Sequence, residues 1–298
     1  MNAIAVASPR VSVVIPHYDD MERLDRCLDA LMSQTMTRDQ YEIIVADNNS
    51  PVGLKAVEAV VAGRARVTVA TTRGAGPARN AGARVARGEV LAFTDCDCVP
   101  DPAWLERGLA ALAQADFVGG KMEVLVPSGR PMTGAEAFEG IFAFDNERYV
   151  REKHFTVTAN LFCPRDVFQK VGPFRTEVSE DNEWCWRARE LGYRLGYAGD
   201  AVVGHPARGD WAQLKSKWRR ICAERHALMK ERGGGALRWI AQTWLELPAI
   251  PAHTFRVLCS RRALTPGERW AALRTLVAIR MWRFVEGHRM LLRRNDRG

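Results

Sequence analysis

Val11-Ser12-Val13-Val14-Ile15-Pro16 is the stretch that sets the fold. Its β-branched run, closed by a proline, predicts a strand buried on both faces. Outward from it, residues 19–34 carry Met21, Leu24, Leu28 and Leu31 on one helical face. Residues 41–46 read as a second apolar strand, stopped by the turn cluster Asp47-Asn48-Asn49-Ser50-Pro51. A short helix at 54–62, a strand at 67–70, a loop at 74–77 and a small-residue helix at 78–86 follow. A fourth strand at 90–94 runs into Asp95-Cys96-Asp97, and a helix is expected over 102–115. This β-α-β-α order predicts an α/β fold with a mainly parallel sheet flanked by helices.

Ligands of such sheets sit beyond the carboxyl ends of the strands. Here those ends carry Pro16-His17-Tyr18-Asp19, Asp47-Asn48, Arg73 with a glycine loop, and Asp95 with Asp97. Carboxylates gathered along one edge repel one another unless a positive group lies among them. A divalent cation holding a diphosphate supplies that charge, and Mg²⁺ or Mn²⁺ suits oxygen ligands.

The bulk composition sets the remaining bounds. A chain of 298 residues holds one large domain, or a domain with an appendage. Its 47% hydrophobic and 26% charged residues exclude a disordered chain. Of seven cysteines only Cys96 and Cys98 are closely spaced, which predicts free thiols in a reducing compartment. A zinc site there lacks a second Cys/His pair. The apolar run at residues 4–7 is too short for a signal-peptide core. No stretch reaches the roughly 18 to 20 apolar residues of a membrane span. The best one, residues 236–250, holds Arg238 and Glu246 and is broken by Pro248, with Pro251 just beyond. A cytoplasmic protein is expected.

Charge divides the chain near residue 210. Residues 211–298 carry 19 basic and 6 acidic residues, a net +13, whereas the first 210 carry 24 and 29, a net −5. So basic a tail faces an anionic partner or is widely solvated.

Taken together, several motifs resemble the family 2 glycosyltransferases, which have the GT-A (Rossmann-like) fold. They are the opening Val-Ser-Val-Val-Ile-Pro-His-Tyr-Asp, Ile-Val-Ala-Asp-Asn-Asn-Ser at 44–50, and Gly-Pro-Ala-Arg-Asn-Ala-Gly at 76–82. Phe-Thr-Asp-Cys-Asp at 93–97, Ser-Glu-Asp-Asn-Glu-Trp-Cys-Trp-Arg at 179–187 and Ala-Val-Val-Gly-His at 201–205 complete the set. The resemblance covers about residues 10–208. It implies a catalytic domain over 1–210, with a nucleotide-sugar half at about 10–100 and an acceptor half at about 101–210. Residues 211–298 then form a basic helical extension.

The resemblance also implies roles, each beside a plainer alternative. Asp95 would contact the ribose or a metal-bound water, and Asp97 and His205, with Asp95, would form the site of Mn²⁺ or Mg²⁺. The alternatives are a polar turn for the aspartates and a structural histidine. Asp47 would bond the base, with Pro16, Tyr18 and Asp19 lining the same pocket. An Asx-turn at Asp47 and helix capping by Asp19 are the alternatives. Arg73, Arg79 and Asn80 would lie near the diphosphate or base rather than on ordinary loop and helix surface. Ser179-Glu180-Asp181 opens a helix with a good N-cap and acids in the first turn, which is a sufficient structural reason for those residues. By resemblance Asp181 is the catalytic base, a role that burial would favour by raising its pKa, and Glu180 orients the acceptor. Asn160 would face donor sugar and acceptor.

The implied function is an inverting hexosyltransferase that uses a nucleotide-sugar, most often a UDP-sugar. Its acceptor would be a saccharide or lipid-linked saccharide of cell-surface polysaccharide synthesis. Two other readings are a sugar-phosphate nucleotidyltransferase, although its glycine loop follows the first strand rather than the third, and a non-catalytic membrane scaffold. In the tail, helical stripes run through Trp211, Leu214, Trp218, Ile221 and Cys222, and through Trp270, Leu273, Val277 and Arg280. With Arg219, Arg220, Arg293 and Arg294 they predict either packing helices with a solvated face or a peripheral platform on the anionic inner membrane surface. Nucleic acid is not expected, because no recognition motif accompanies the charge.

Overall fold

The computed structural model describes residues 8–176, 178–260, 262 and 264–292. The apolar run at 4–7 and Arg293 and Arg294 lie outside the described residues.

The opening stretch forms β1 (Val11–His17), buried along its whole length. Even Ser12 is buried, because its hydroxyl donates to Glu42 at 2.8 Å and accepts from the Gly88 amide at 2.8 Å. The chain continues through α1 (Met21–Met32), β2 (Tyr41–Asp47), α2 (Leu54–Val61) and β3 (Arg66–Val69). Next come α3 (Ala75–Val85), β4 (Val90–Phe93), β5 (Val99–Pro100), α4 (Trp104–Ala111), β6 (Phe117–Leu125) and α5 (Gly134–Phe142). A single turn, α6 (Asn146–Arg148), leads to β7 (Leu161–Pro164), α7 (Arg165–Val171), α8 (Glu180–Glu190) and β8 (Leu195–Pro206). Four further helices follow: α9 (Trp211–Glu231), α10 (Ala236–Trp244), α11 (Ala249–Leu258) and α12 (Pro266–Leu292).

Among the described residues the strands form one eight-stranded sheet in the order β3-β2-β1-β4-β7-β6-β8-β5. The sheet is mixed rather than mainly parallel. β1 pairs in parallel with β2 and β4, and β2 with β3, whereas β7 runs antiparallel to β4 and β6, and β5 to β8. The parallel part is built of strand-helix-strand units, as the alternating sequence pattern predicts. Its register sets His17 beside Asp47 and Asp47 beside Val69, so the carboxyl ends of β1, β2 and β3 finish level.

The chain divides into two compact units. Of the described residues, the first comprises 8–123, 144–176 and 180–205. The second comprises 124–143, 178–179 and the described residues from 206 to 292. The segment holding α5, which the sequence assigned to the acceptor half, therefore groups with the C-terminal helices.

In the first unit, one core layer joins β1 and β2 to α1 and α2 through Leu24, Leu28, Ile43 and Val57. The opposite layer packs Phe93, Phe117, Phe168, Phe174 and Trp184. In the second unit, α5 packs on α12, with Phe138, Leu214, Val257, Leu276 and Ile279 in its core. Glu139 on α5 is buried there, 2.6 Å from the Lys217 ammonium and accepting from the Arg208 amide at 2.8 Å.

Several boundaries differ from the sequence expectation. α3 begins at Ala75, directly after Gly74, so the expected loop at 74–77 is already helix. Gly74 has φ +128, which a side chain rarely adopts. Gly82 lets α3 settle on β1, since a Cβ there would lie 2.5 Å from Val14. In α12 the buried stripe is Ala272, Leu276, Ile279, Arg283 and Glu286, while Trp270 and Val277 of the expected stripe face outward.

Candidate active site

The level ends of β1 and β2 bring His17 and Asp47 into contact. His17 Nδ1 lies 3.0 Å from Asp47 Oδ1, and His17 Nε2 accepts from the Asp20 amide at 3.3 Å. With Nε2 accepting, Nδ1 must carry the proton it gives to Asp47. The Ser50 hydroxyl and amide also donate to Asp47. Burial alone would raise the Asp47 carboxyl, but the Ser50 donors and His17 outweigh it and hold the carboxyl below its usual value. Asp47 is therefore ionised and fixed, with an Asx-type turn and a ligand role compatible on one carboxylate.

Around Asp47 the other expected base-pocket residues occupy different positions. Pro16 is buried inside β1. Tyr18 is 46% exposed, and the Arg73 guanidinium stands 5.6 Å from its ring centroid. That cation–π pair joins two of the expected residues at an open flat surface. Asp19 has φ +54, and its amide donates to the Ser50 hydroxyl at 2.9 Å. It does not cap α1; Asp20 does, accepting from the Arg23 amide at 3.3 Å. Asn48, which the sequence offered only as a turn residue, holds the loop that carries Arg73. Its side chain donates to Thr72 O at 2.7 Å and accepts from Gly74 N at 2.7 Å.

Arg79 is buried in α3 between two acids. It donates through Nη2 to Asp95 and through Nη1 to Glu180 at 2.9 Å. Burial opposes its charge, yet the two carboxylates more than restore it and raise its pKa. Arg79 is thus a clamp on the acidic groups, rather than an open phosphate ligand. It brings the first turn of α8 against the Asp95 loop. Asn80 fastens α3 to the chain before α8, donating to Phe174 O at 2.8 Å and accepting from Phe174 N at 2.9 Å.

Asp181 is the second residue of α8 and is half-buried. Its carboxylate accepts from the Asn182 amide at 2.8 Å. α8 has no strong apolar stripe; Trp184 anchors it. The Trp184 ring meets Phe117 edge-on at 5.4 Å and stacks on Phe168, while its indole N–H donates to Gly172 O at 2.9 Å.

Asp97 and His205 approach each other, with Nε2 to Oδ2 at 3.3 Å. The Phe144 ring stands 4.5 Å from the imidazole. A carboxylate and an imidazole so close can share one divalent cation, and Mg²⁺ or Mn²⁺ completes its shell with water and substrate phosphate. The donor chemistry therefore fits such an ion. Asp95, two residues before Asp97, is engaged by Arg79 through Oδ1. Among the described residues no group of three His, Cys, Asp or Glu side chains is arranged to hold a metal. The thiols near by stay protonated: burial and the charges of Asp95 and Asp97 push Cys96 and Cys98 well above the usual value.

Asn160 is 0% exposed and lies at the end of a 3₁₀ turn. Its side chain accepts from Trp104 Nε1 at 2.9 Å and donates to Lys121 O and Ala201 O, each at 2.9 Å. In this structure these bonds tie the neighbouring segments together.

The model of "Glycosyl transferase family 2" matches residues 12–172. The chain is 35% identical over 219 residues to "Glycosyltransferase AglE" of Haloferax volcanii, covering 71% of each protein. It is 26% identical to the "Pre-mycofactocin glycosyltransferase" of Mycobacterium tuberculosis, over 85% of this chain and 57% of that one. Among solved structures, S. aureus TarS in complex with UDP matches with a TM-score of 0.52 and 19% identity. That match covers 72% of this chain and 65% of TarS 1-349, and 39% of the longer TarS chain. The fold is thus GT-A with a C-terminal helical region, and the chain belongs to glycosyltransferase family 2.

Proposed function

We propose that this glycosyltransferase is inverting and metal-dependent, taking a nucleotide-sugar, with a UDP-sugar as the donor. Its acceptor is a saccharide or lipid-linked saccharide of cell-surface polysaccharide synthesis, met at an anionic membrane surface on the cytoplasmic side. One observation carries the reading: Arg79 clamps Asp95 to the first turn of α8, so the Asp95-Cys96-Asp97 loop and the Glu180-Asp181 pair share one site. The TarS structures that hold UDP and UDP-GlcNAc support the choice of donor.

In this reading Asp47 takes the base edge, and Tyr18 with Arg73 forms the wall beside it. Asp97 and His205 would hold Mn²⁺ or Mg²⁺, whose chemistry is to offset charge on the leaving diphosphate. Asp181 accepts the proton of the acceptor hydroxyl as its oxygen forms a bond to the anomeric carbon. The bond from that carbon to the diphosphate oxygen breaks, its electron pair leaves with the nucleotide, and the configuration inverts. Glu180, held by Arg79, keeps the turn that carries Asp181 in place.

Asp97→Ala tests the donor side. The residue is partly exposed at a loop, so the fold should persist. Calorimetry with UDP should show Mn²⁺-dependent affinity for the wild type and its loss, by about tenfold or more, in the variant. Undiminished metal-dependent affinity would remove Asp97 from the site.

A further inference from the structure

The outward surface of α10, α11 and α12 has an unusual composition. Residues 236–292 contain nine arginines and three glutamates, with no lysine or aspartate. All three glutamates, Glu246, Glu268 and Glu286, are buried. Glu246 is spent on Arg280 and Arg283 inside the helical unit, and Glu268 caps the start of α12 by accepting from the Thr265 amide at 2.8 Å. No carboxylate is therefore exposed among the described residues of this segment.

What is exposed is apolar. On α10 and the turn after it, Leu237 is 84%, Trp244 54% and Leu245 64% exposed. On α11, Phe255 is 70% and Leu258 55% exposed. These side chains are outward because Trp239, Thr243 and Val257 take the inward positions of the same helices. On α12, Trp270, Val277 and Met281 are exposed at spacings of seven and four, which places them on one side. Arg238, Arg274 and Arg289 are the exposed charges beside them. Arg256 and Arg262 line a depression of about 560 Å³ together with Ile141 and Phe255.

Apolar side chains and arginines, without an acid, match one partner chemistry. A second copy of the chain fits poorly, because an isologous contact would set arginines against arginines with no carboxylate to answer them. An anionic bilayer surface fits both properties, since acyl chains take the apolar groups and phosphates take the guanidinium groups. No helix among the described residues is long and apolar enough to cross a membrane. The two short helices, broken at Pro248, suit lying within one leaflet.

We propose that α10 and α11, each packed on α12, are the helices that insert into a membrane. They enter the headgroup layer of an anionic membrane through Leu237, Trp244, Leu245, Phe255 and Leu258, with α12 and its arginines beside them. This rests on the membrane reading above and adds which elements insert.

Cys259 provides a native probe, because it is the exposed cysteine, next to Leu258 at the end of α11. A polarity-sensitive fluorophore on Cys259 should shift to the blue when full-length protein meets vesicles of equimolar phosphatidylglycerol and phosphatidylcholine. Spin-labelled lipid should quench it, and pure phosphatidylcholine vesicles should give little change. The combined variant Leu237→Gln, Trp244→Gln, Leu245→Gln, Phe255→Gln and Leu258→Gln keeps good helix formers at exposed positions. It should stay folded, with a melting temperature lowered only by loss of the Trp244 ring contacts to Phe284 and His288, and lose vesicle partitioning by about tenfold or more. The single change Phe255→Gln should lose a smaller part, which keeps the test open if the fivefold variant misfolds. Full binding by these folded variants would overturn insertion through α10 and α11 while leaving a membrane platform standing on other residues. Wild-type protein that binds neither vesicle would overturn both. A wild-type dimer in solution that the variants convert to monomer would assign the face to a second copy instead.

Discussion

Asp181→Asn is expected to lower turnover by about 10² to 10⁴, the usual scale for loss of a general base. Asparagine has nearly the shape of aspartate and still accepts from the Asn182 amide, so the start of α8 should hold. Donor affinity should change little, because the base acts on the acceptor hydroxyl. Steady-state kinetics with a donor held at saturation would read this directly. Near wild-type turnover would mean that another group takes the proton. Glu180→Gln is the informative companion. Glu180 holds Arg79 rather than a substrate proton, so its variant should give the smaller kinetic loss.

Trp184→Ala should cost about 3 to 5 kcal/mol of stability, the range for a large aromatic removed from a core. Trp184 is fully buried and touches Phe117, Phe168 and Phe174, and its indole bond to Gly172 O would also be lost. Its effect reaches α8, which carries Asp181 and whose other core residues, Cys185 and Ala188, are small. Urea unfolding followed by circular dichroism would measure the loss. Trp184→Phe should recover much of the packing but not the hydrogen bond. A loss below about 1 kcal/mol for the alanine variant would show that α8 is held by something else.

These expectations depend on features that were unequally legible in the sequence. The parallel strands were clear because β-branched runs ended at prolines and aspartates. The strand-end acids were legible for the same reason. The antiparallel return of β7 was not, because a short apolar run carries no sign of its direction. The partners of Asn160 were not legible either, because a polar residue before an apolar strand looks alike whether it faces a ligand or three buried partners. Arg79 carried a charge signal, but only the fold reveals that its partners are Asp95 and Glu180, 16 and 101 positions away.

In the C-terminal region Pro248 and Pro251 ended the expected apolar run, correctly for α10. They also begin α11, where Pro248 is the N-cap and Pro251 lies in the first turn, positions that need no amide donor. α12 is apolar on two sides, so its period could not say that Leu276 faces inward and Val277 outward. His17 and Asn48 stood at the strand ends without roles of their own, and Ser50 had none because Asp-Asn-Asn-Ser already explains a turn. The remaining signal was their position at the level ends of two parallel strands.

The central claim is transfer of a sugar from a UDP-sugar. The most direct measurement incubates the full chain with UDP-sugars and Mn²⁺, adds pyrophosphate in a parallel reaction, and separates the nucleotides by ion-exchange chromatography. Release of UDP, increased by a saccharide acceptor and lost in Asp181→Asn, is the predicted result. Formation of UTP from UDP-sugar and pyrophosphate, without release of UDP, would contradict it and identify a nucleotidyltransferase instead.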